Sequence, residues 1–143
     1  MGLMRLTHVR PAVGPETSVA ETVRVMAEAE IGAIPVMAGR RLAGLFTERD
    51  LMKRVVARRL DPDTTPVNEV MTRNVVSVPD TATVARAAAV MRANRIRHLV
   101  IVDEAGAYLG ILAQRHLLYD LMSDLSLKVN DLESYVMTDG PGG

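Results

Sequence analysis

Residues 44–50 of the chain read GLFTERD. A threonine three residues before an aspartate is a capping box, in which hydroxyl and carboxylate satisfy orphan amides at a helix start. The same pair suits a second task. A helix start offers free amides and a positive dipole end, which favour phosphate. A carboxylate accepts hydrogen bonds from the vicinal hydroxyls of a ribose. Thr47 and Asp50 are therefore candidates for capping alone or for capping and nucleotide binding, and spacing leaves both open. Arg97 and His98 are two adjacent potential cations ahead of an apolar run. Arginine carries a planar fork matched to phosphate oxygens. A solvated edge charge and a satisfied, half-buried histidine are the plainer readings. Lys53, Arg54, Arg58 and Arg59 share one helix; a solvated face is the default, an acidic partner or a phosphate contact the alternative.

Other chemistries lack their residues. The three histidines, His8, His98 and His116, are scattered, and there is no cysteine, so metal-ligand spacing and thiol chemistry are absent. Asp61 and Asp63 flank a proline, which reads as a solvated turn. There is no Walker loop, dinucleotide glycine motif or serine elbow. The chain has 143 residues, 48% of them hydrophobic, enough for a real core. Its four aromatic residues, Phe46, Tyr108, Tyr119 and Tyr135, are too few for a base-stacking platform. The net charge is zero, which argues against a nucleic-acid partner. Nine methionines read as gap-filling core. No apolar run nears the roughly 20 residues of a membrane span. The first residues lack the apolar centre of a signal peptide, so the cytoplasm is the expected compartment.

The elements that must position these residues come in two copies. Val13, Val19, Ala20, Val25, Met26 and Ile31 recur 65 residues later as Val78, Val84, Ala85, Val90, Met91 and Ile96. After one extra turn residue, Gly44, Arg49 and Leu51 recur 66 residues later as Gly110, Arg115 and Leu117. A repeat this long is a half-domain, and two copies imply pseudo-twofold symmetry. Each copy reads β-α-β-β-α. The expected first strands are Leu6 to Val9 and Val75 to Val78. Alanine-rich helices follow at about Val19 to Glu30 and Val84 to Asn94, capped by a Ser18–Glu21 box and by Thr83. Apolar runs at Ile34 to Met37, Leu42 to Phe46, Leu99 to Val102 and Tyr108 to Leu112 suit strands covered on both faces. Closing helices are expected at about Glu48 to Arg59 and Gln114 to Leu125. The expected divisions are 1–60 for the first copy, 61–74 for a proline-bearing linker, 75–125 for the second copy, and 126–143 for a terminal helix (Leu127 to Tyr135) and a frayed GPGG. Val67 to Met71 suits one helical turn within the linker.

In its order of elements the sequence resembles the CBS domain family, as the tandem pair often called a Bateman module. The resemblance spans about residues 13 to 122. It rests on the VAETVRVM helix, the IGAIPV strand and GLFTERD, then on VMRANRIRHLVIVD and GILAQRHLL. It implies an α/β (α+β) fold, with the two repeats packed through their β-sheets and a cleft on either side. Such clefts commonly hold AMP, ADP, ATP or S-adenosylmethionine. By resemblance, Asp50 holds the ribose diol and Thr47 contacts ribose or phosphate, with Arg49 between them. Ala33, Ile34 and Pro35 clamp the adenine, and Ser18 lines the same cleft. Arg97, His98 and Arg115 reach phosphate. The second cleft, at Thr83, Leu99, Val100, Ala113 and His116, departs from the pattern. Ala113 cannot cap, and His116 is not a carboxylate.

The resemblance thus implies a non-catalytic regulatory module that binds an adenosyl nucleotide, with or without magnesium, and needs no resident cofactor. It also implies a homodimer packed through the closing helices (Leu51, Val55, Leu117, Leu118 and Leu121) and an unidentified regulated partner. A structural dimerisation module with empty clefts is the runner-up, and a nucleotide-hydrolysing enzyme is a third reading.

Overall fold

The computed structural model describes residues 2–132 and side chains as far as Leu125. Helix α1 (Val19–Ala29) leads into the hairpin β1 (Ala33–Ala38) and β2 (Arg41–Thr47). Gly39 turns that hairpin at φ 63°, a conformation that favours glycine. The three-residue α2 (Glu48–Asp50) then widens into a π-helical stretch, Leu51–Val56. The closing helix of this copy is therefore shorter and wider than expected. The second copy contains β3 (Ser77–Pro79), α3 (Val84–Asn94), β4 (His98–Val102), β5 (Tyr108–Ala113) and α4 (Gln114–Leu132). Helix α4 runs unbroken to Leu132 instead of giving way to a separate terminal helix at Leu127. The end of that expected helix and the GPGG tail lie outside the described residues.

The first-strand expectation for copy one is wrong. Residues Gly2–Leu6 form a 3-10 turn, and the counterpart of β3 is a parallel bridge between Val13 and Val36. That bridge matches the parallel Val78–Ile101 pairing of β3 with β4, 65 residues on. Pro11 and Pro15 flank Val13 and lack the amides that would extend the ladder. The expected Val75 to Val78 strand is likewise displaced, to Ser77–Pro79. Val67–Glu69 does form the expected helical turn.

Two antiparallel hairpins, β1–β2 and β4–β5, carry the two sheets, and β3 adds a parallel strand to the second. Leu45, Val100 and Ile111 are buried where the sheets meet, with Leu42, Val75 and Val102 packed around them. Each sheet also has its own core under its first helix: Met26, Ile34 and Phe46 in one, Met91, Leu99 and Ile101 in the other. Both cores borrow from outside their copy. Val67, Val70 and Met71 complete the first, and Leu3 completes the second. Leu45 and Thr72 exchange backbone hydrogen bonds of 2.9 and 2.7 Å, and Leu3 N–H donates to the Asp80 carbonyl at 3.0 Å.

The pseudo-symmetry extends to single hydrogen bonds. Glu30 and Arg95 end their helices in the left-handed conformation, at φ 56° and 54°. Arg49 donates to the Arg95 carbonyl at 3.0 Å, and Arg115 donates to the Glu30 carbonyl at 3.4 Å. Each guanidinium thus supplies a cation to the end of the other copy's first helix. The cap expectations hold at Ser18 and Thr83, whose hydroxyls accept from Glu21 and Arg86 amides. The Ser18 box is only half formed, because the Glu21 carboxylate pairs with Arg24.

Candidate functional site

A cavity of about 420 Å³ lies between the two copies. Its first wall is Gly32, Leu45 and the start of α2, from Thr47 to Asp50 with Met52. Its second wall is Thr72, Asn74, Val75, Val76, Ile96, Arg97 and His98. Antiparallel pairing of Ala33 with Thr47 places the helix start beside the end of α1. The Glu48 amide donates to the Gly32 carbonyl at 3.0 Å and fixes that corner.

Thr47 and Asp50 form the full capping box. The Asp50 amide donates to Thr47 Oγ1 at 3.1 Å, and the Thr47 amide donates to Asp50 Oδ2 at 3.0 Å. Asp50 is 5% exposed. It also accepts from the Thr72 hydroxyl at 3.0 Å, and Arg54 Nε lies 3.6 Å from its Oδ1. Asp50 therefore sits in the cavity wall with its oxygens already in use. A sugar diol must share or replace the Thr72 hydroxyl to engage it.

Of the remaining expected site residues, Arg49, Arg97 and His98 line the cavity. Ala33, Ile34 and Pro35 are buried beside it and are not among its lining residues. Their side chains serve the sheet and core. Ser18 caps α1 and bridges to Pro66, away from the lining. Arg115 is held by Glu30 and faces the other side of the molecule's pseudo-symmetry. Glu48, Thr72 and Asn74 line the cavity without having been expected. The only signal for Thr72 was the 65-residue register, which pairs it with Thr7. In the second copy, Thr83 is a cap, Leu99, Val100 and Ala113 are buried, and His116 stacks edge-on against His8 with ring centroids 4.3 Å apart. A second cavity, also about 420 Å³, runs between α3 and α4, where Arg49, Arg92, Arg95 and Arg97 surround Leu117, Leu118 and Leu121.

His98 is the most perturbed base of the site. Burial, reinforced by Arg10, Arg115, Arg97 and His116, pushes its pKa down to about 4. An unfolded histidine protonates near 6.5. The stability gained from the neutral ring is complete above pH 6.5 and is lost as pH falls from 6.5 to 4. The expected loss is on the order of 2–3 kcal/mol. Urea unfolding across this range should show it for the wild type and not for His98→Gln. Parallel curves for the two proteins would contradict this burial account.

No helix among the described residues is long and apolar enough to cross a membrane. No cluster of three or more metal-ligating side chains occurs among them. The sequence model of the CBS domain matches residues 6–57 and 67–123. A CBS domain-containing protein of Bacillus subtilis, YhcV, is 35% identical over 114 residues, covering 80% of this chain and 80% of that one. A CBS domain-containing protein of Arabidopsis thaliana is 28% identical over 87% of this chain, which spans only 23% of that protein's length. The solved CBS domain protein from Pyrobaculum aerophilum complexed with AMP superposes with a TM-score of 0.73 at 31% identity, covering 90% of this chain and 99% of that one.

Proposed function

Starting from a chain that belongs to the CBS domain family, with two copies of the domain, we propose a non-catalytic regulatory module that binds an adenosyl nucleotide between them. The observation that carries this reading is the cavity shared by both copies, with the Thr47–Asp50 pair on one wall and Arg97 and His98 on the other. A carboxylate on one wall, facing a guanidinium and a neutral imidazole on the other, suits the two ends of a nucleotide, ribose and phosphate. The related protein complexed with AMP supports the ligand class. Arg49 joins the phosphate end.

Binding across the two walls draws the copies together, and a ligand shifts such an equilibrium only through its differential affinity. The output is conformational and passes to a partner protein, with a second copy of this chain as the nearest one. Within the closing-helix stripe, Val55 and Leu117 are the members spent inside the protomer, where both are buried. Outward apolar residues of the closing helices include Met52, Val56, Leu118, Leu121, Met122 and Leu125. They form the surface we assign to a homodimer.

Thermal shift with AMP, ADP, ATP, S-adenosylmethionine and NAD tests the reading. A true ligand at 100 times its Kd adds about 2.7 kcal/mol of stability. His116→Ala is expected to retain that response, since His116 lies outside the cavity lining. The full engagement of Asp50 by Thr47 and Thr72 favours a second reading, a structural dimerisation module. That reading predicts no shift with any adenosyl compound. Incubation with ATP separates both from hydrolysis, which would release ADP or AMP.

A further inference from the structure

The second cavity, between α3 and α4, is a groove with an apolar floor and a cationic rim. Arg49, Arg92, Arg95 and Arg97 line it, together with Leu117, Leu118 and Leu121, and its lining contains no acid. Leu117 is buried, whereas Leu118 and Leu121 are 47% and 36% exposed. Among the described residues, none of the four arginines pairs with a carboxylate. The duplication supplies a control. At the 65-residue offset, Arg92, Arg95 and Arg97 correspond to Ala27, Glu30 and Gly32. Glu30 and Arg95 both close their helix at positive φ, so the first copy builds the same helix end without the arginines. The fold does not require them. Like charges gathered in one place repel one another, and an anionic occupant reverses that cost.

We propose that this groove docks an acidic amphipathic segment of a partner protein, its apolar face on Leu118 and Leu121 and its carboxylates on the arginine rim. Recognition of a helix in a groove needs an apolar seam between packed elements, and arginine forks pair bidentately with carboxylates. A second copy of this chain suits the rim poorly. Its first closing helix carries Lys53 and Arg54 beside Met52 and Val56, and like charges facing each other across an interface repel. Leu118 and Leu121 also belong to the homodimer face assigned above, so partner and second copy exclude each other there. The groove adjoins the first cavity. Arg49, Ile96 and Arg97 line both, and Arg49 reaches across to the Arg95 carbonyl at 3.0 Å. Resting on the adenosyl reading, this sharing sets the sign of the regulation. A nucleotide phosphate that engages Arg49 and Arg97 withdraws cations from the rim and weakens the docked segment, and the coupling is reciprocal.

Calorimetric titration with a synthetic amphipathic helical peptide of glutamate and leucine tests the groove, with a lysine-for-glutamate peptide as control. Only the acidic peptide should bind, and Arg92→Ala combined with Arg95→Glu should weaken it at least about tenfold. These substitutions install the first copy's own residues, so the fold accepts them. Both positions lie outside the lining of the first cavity, so the thermal shift with AMP should persist. No binding of the acidic peptide, equal binding of both peptides, or full binding by the double variant would overturn the proposal. Displacement by a peptide of residues 131–139 at a lower concentration than the probe itself would make the chain's own segment the occupant. A double variant altered in oligomeric state but not in peptide binding would make it a second copy. Either result overturns a partner. Saturating AMP should weaken the acidic peptide about fivefold. AMP that binds without this effect would refute the coupling, whereas peptide binding with no AMP binding would sink the adenosyl reading alone.

Discussion

Asp50→Ala is expected to abolish stabilisation by adenosyl ligands and to lower the stability of the unliganded protein by about 2–3 kcal/mol. The cap accounts for about 1 kcal/mol of that loss. The remainder comes from the Thr72 hydroxyl and Thr47 amide, which lose a charged acceptor. A bare alanine result would therefore confuse folding with binding. Asp50→Asn resolves them. Its amide oxygen still accepts from Thr47 or Thr72, so stability should fall by only about 1 kcal/mol. It loses the charge that favours a ribose diol, so adenosyl affinity should fall at least about tenfold, equivalent to about 1.4 kcal/mol. Calorimetric titration of a folded Asp50→Asn protein that binds as tightly as wild type would remove Asp50 from the site.

The second large effect concerns two glycines that the duplication makes equivalent. A Cβ at Gly44 would lie 2.6 Å from the Thr72 carbonyl oxygen and 2.8 Å from Met71 Sδ. Backbone is in the way, and it is the backbone that pairs with Leu45. Gly44→Ala should cost about 3 kcal/mol, or roughly 10 °C in Tm. It should also weaken ligand binding, since Thr72 lies in the cavity wall. A Cβ at Gly110 is crowded by Met4 alone, its Cε at 3.0 Å and Sδ at 3.2 Å, with Thr7 Oγ1 at an ordinary contact distance of 3.7 Å. A flexible thioether can swing aside, so Gly110→Ala should cost less than about 1 kcal/mol. Equal losses in paired denaturant melts would refute this asymmetry.

Helices and hairpins were legible because their signals are local. The apolar spacing from Val19 to Met26 and the Ser18 and Thr83 caps depend on neighbours a few residues away. The β1–β2 turn was legible at Gly39 for the same reason. Leu6 to Val9 misled because a short run containing the β-formers threonine and valine resembles a strand, whereas pairing depends on a partner edge. That edge was met by Val13, and the 65-residue register had already paired Val13 with Val78. The π-helical widening after Asp50 leaves no mark in apolar spacing. Within the site, Thr47 and Asp50 were legible from their motif. Thr72 and Asn74 were not, because an extended segment with no periodicity reaches the cavity only through tertiary contacts.

Residues 2–7 lie against the second sheet, and residues 67–72 lie against the first. The two straps cross, so neither half is self-sufficient. Severing the chain between Asp61 and Pro66 would leave two pieces, each carrying the strap that seals the other, and their reunion would restore the fold as a clasped pair.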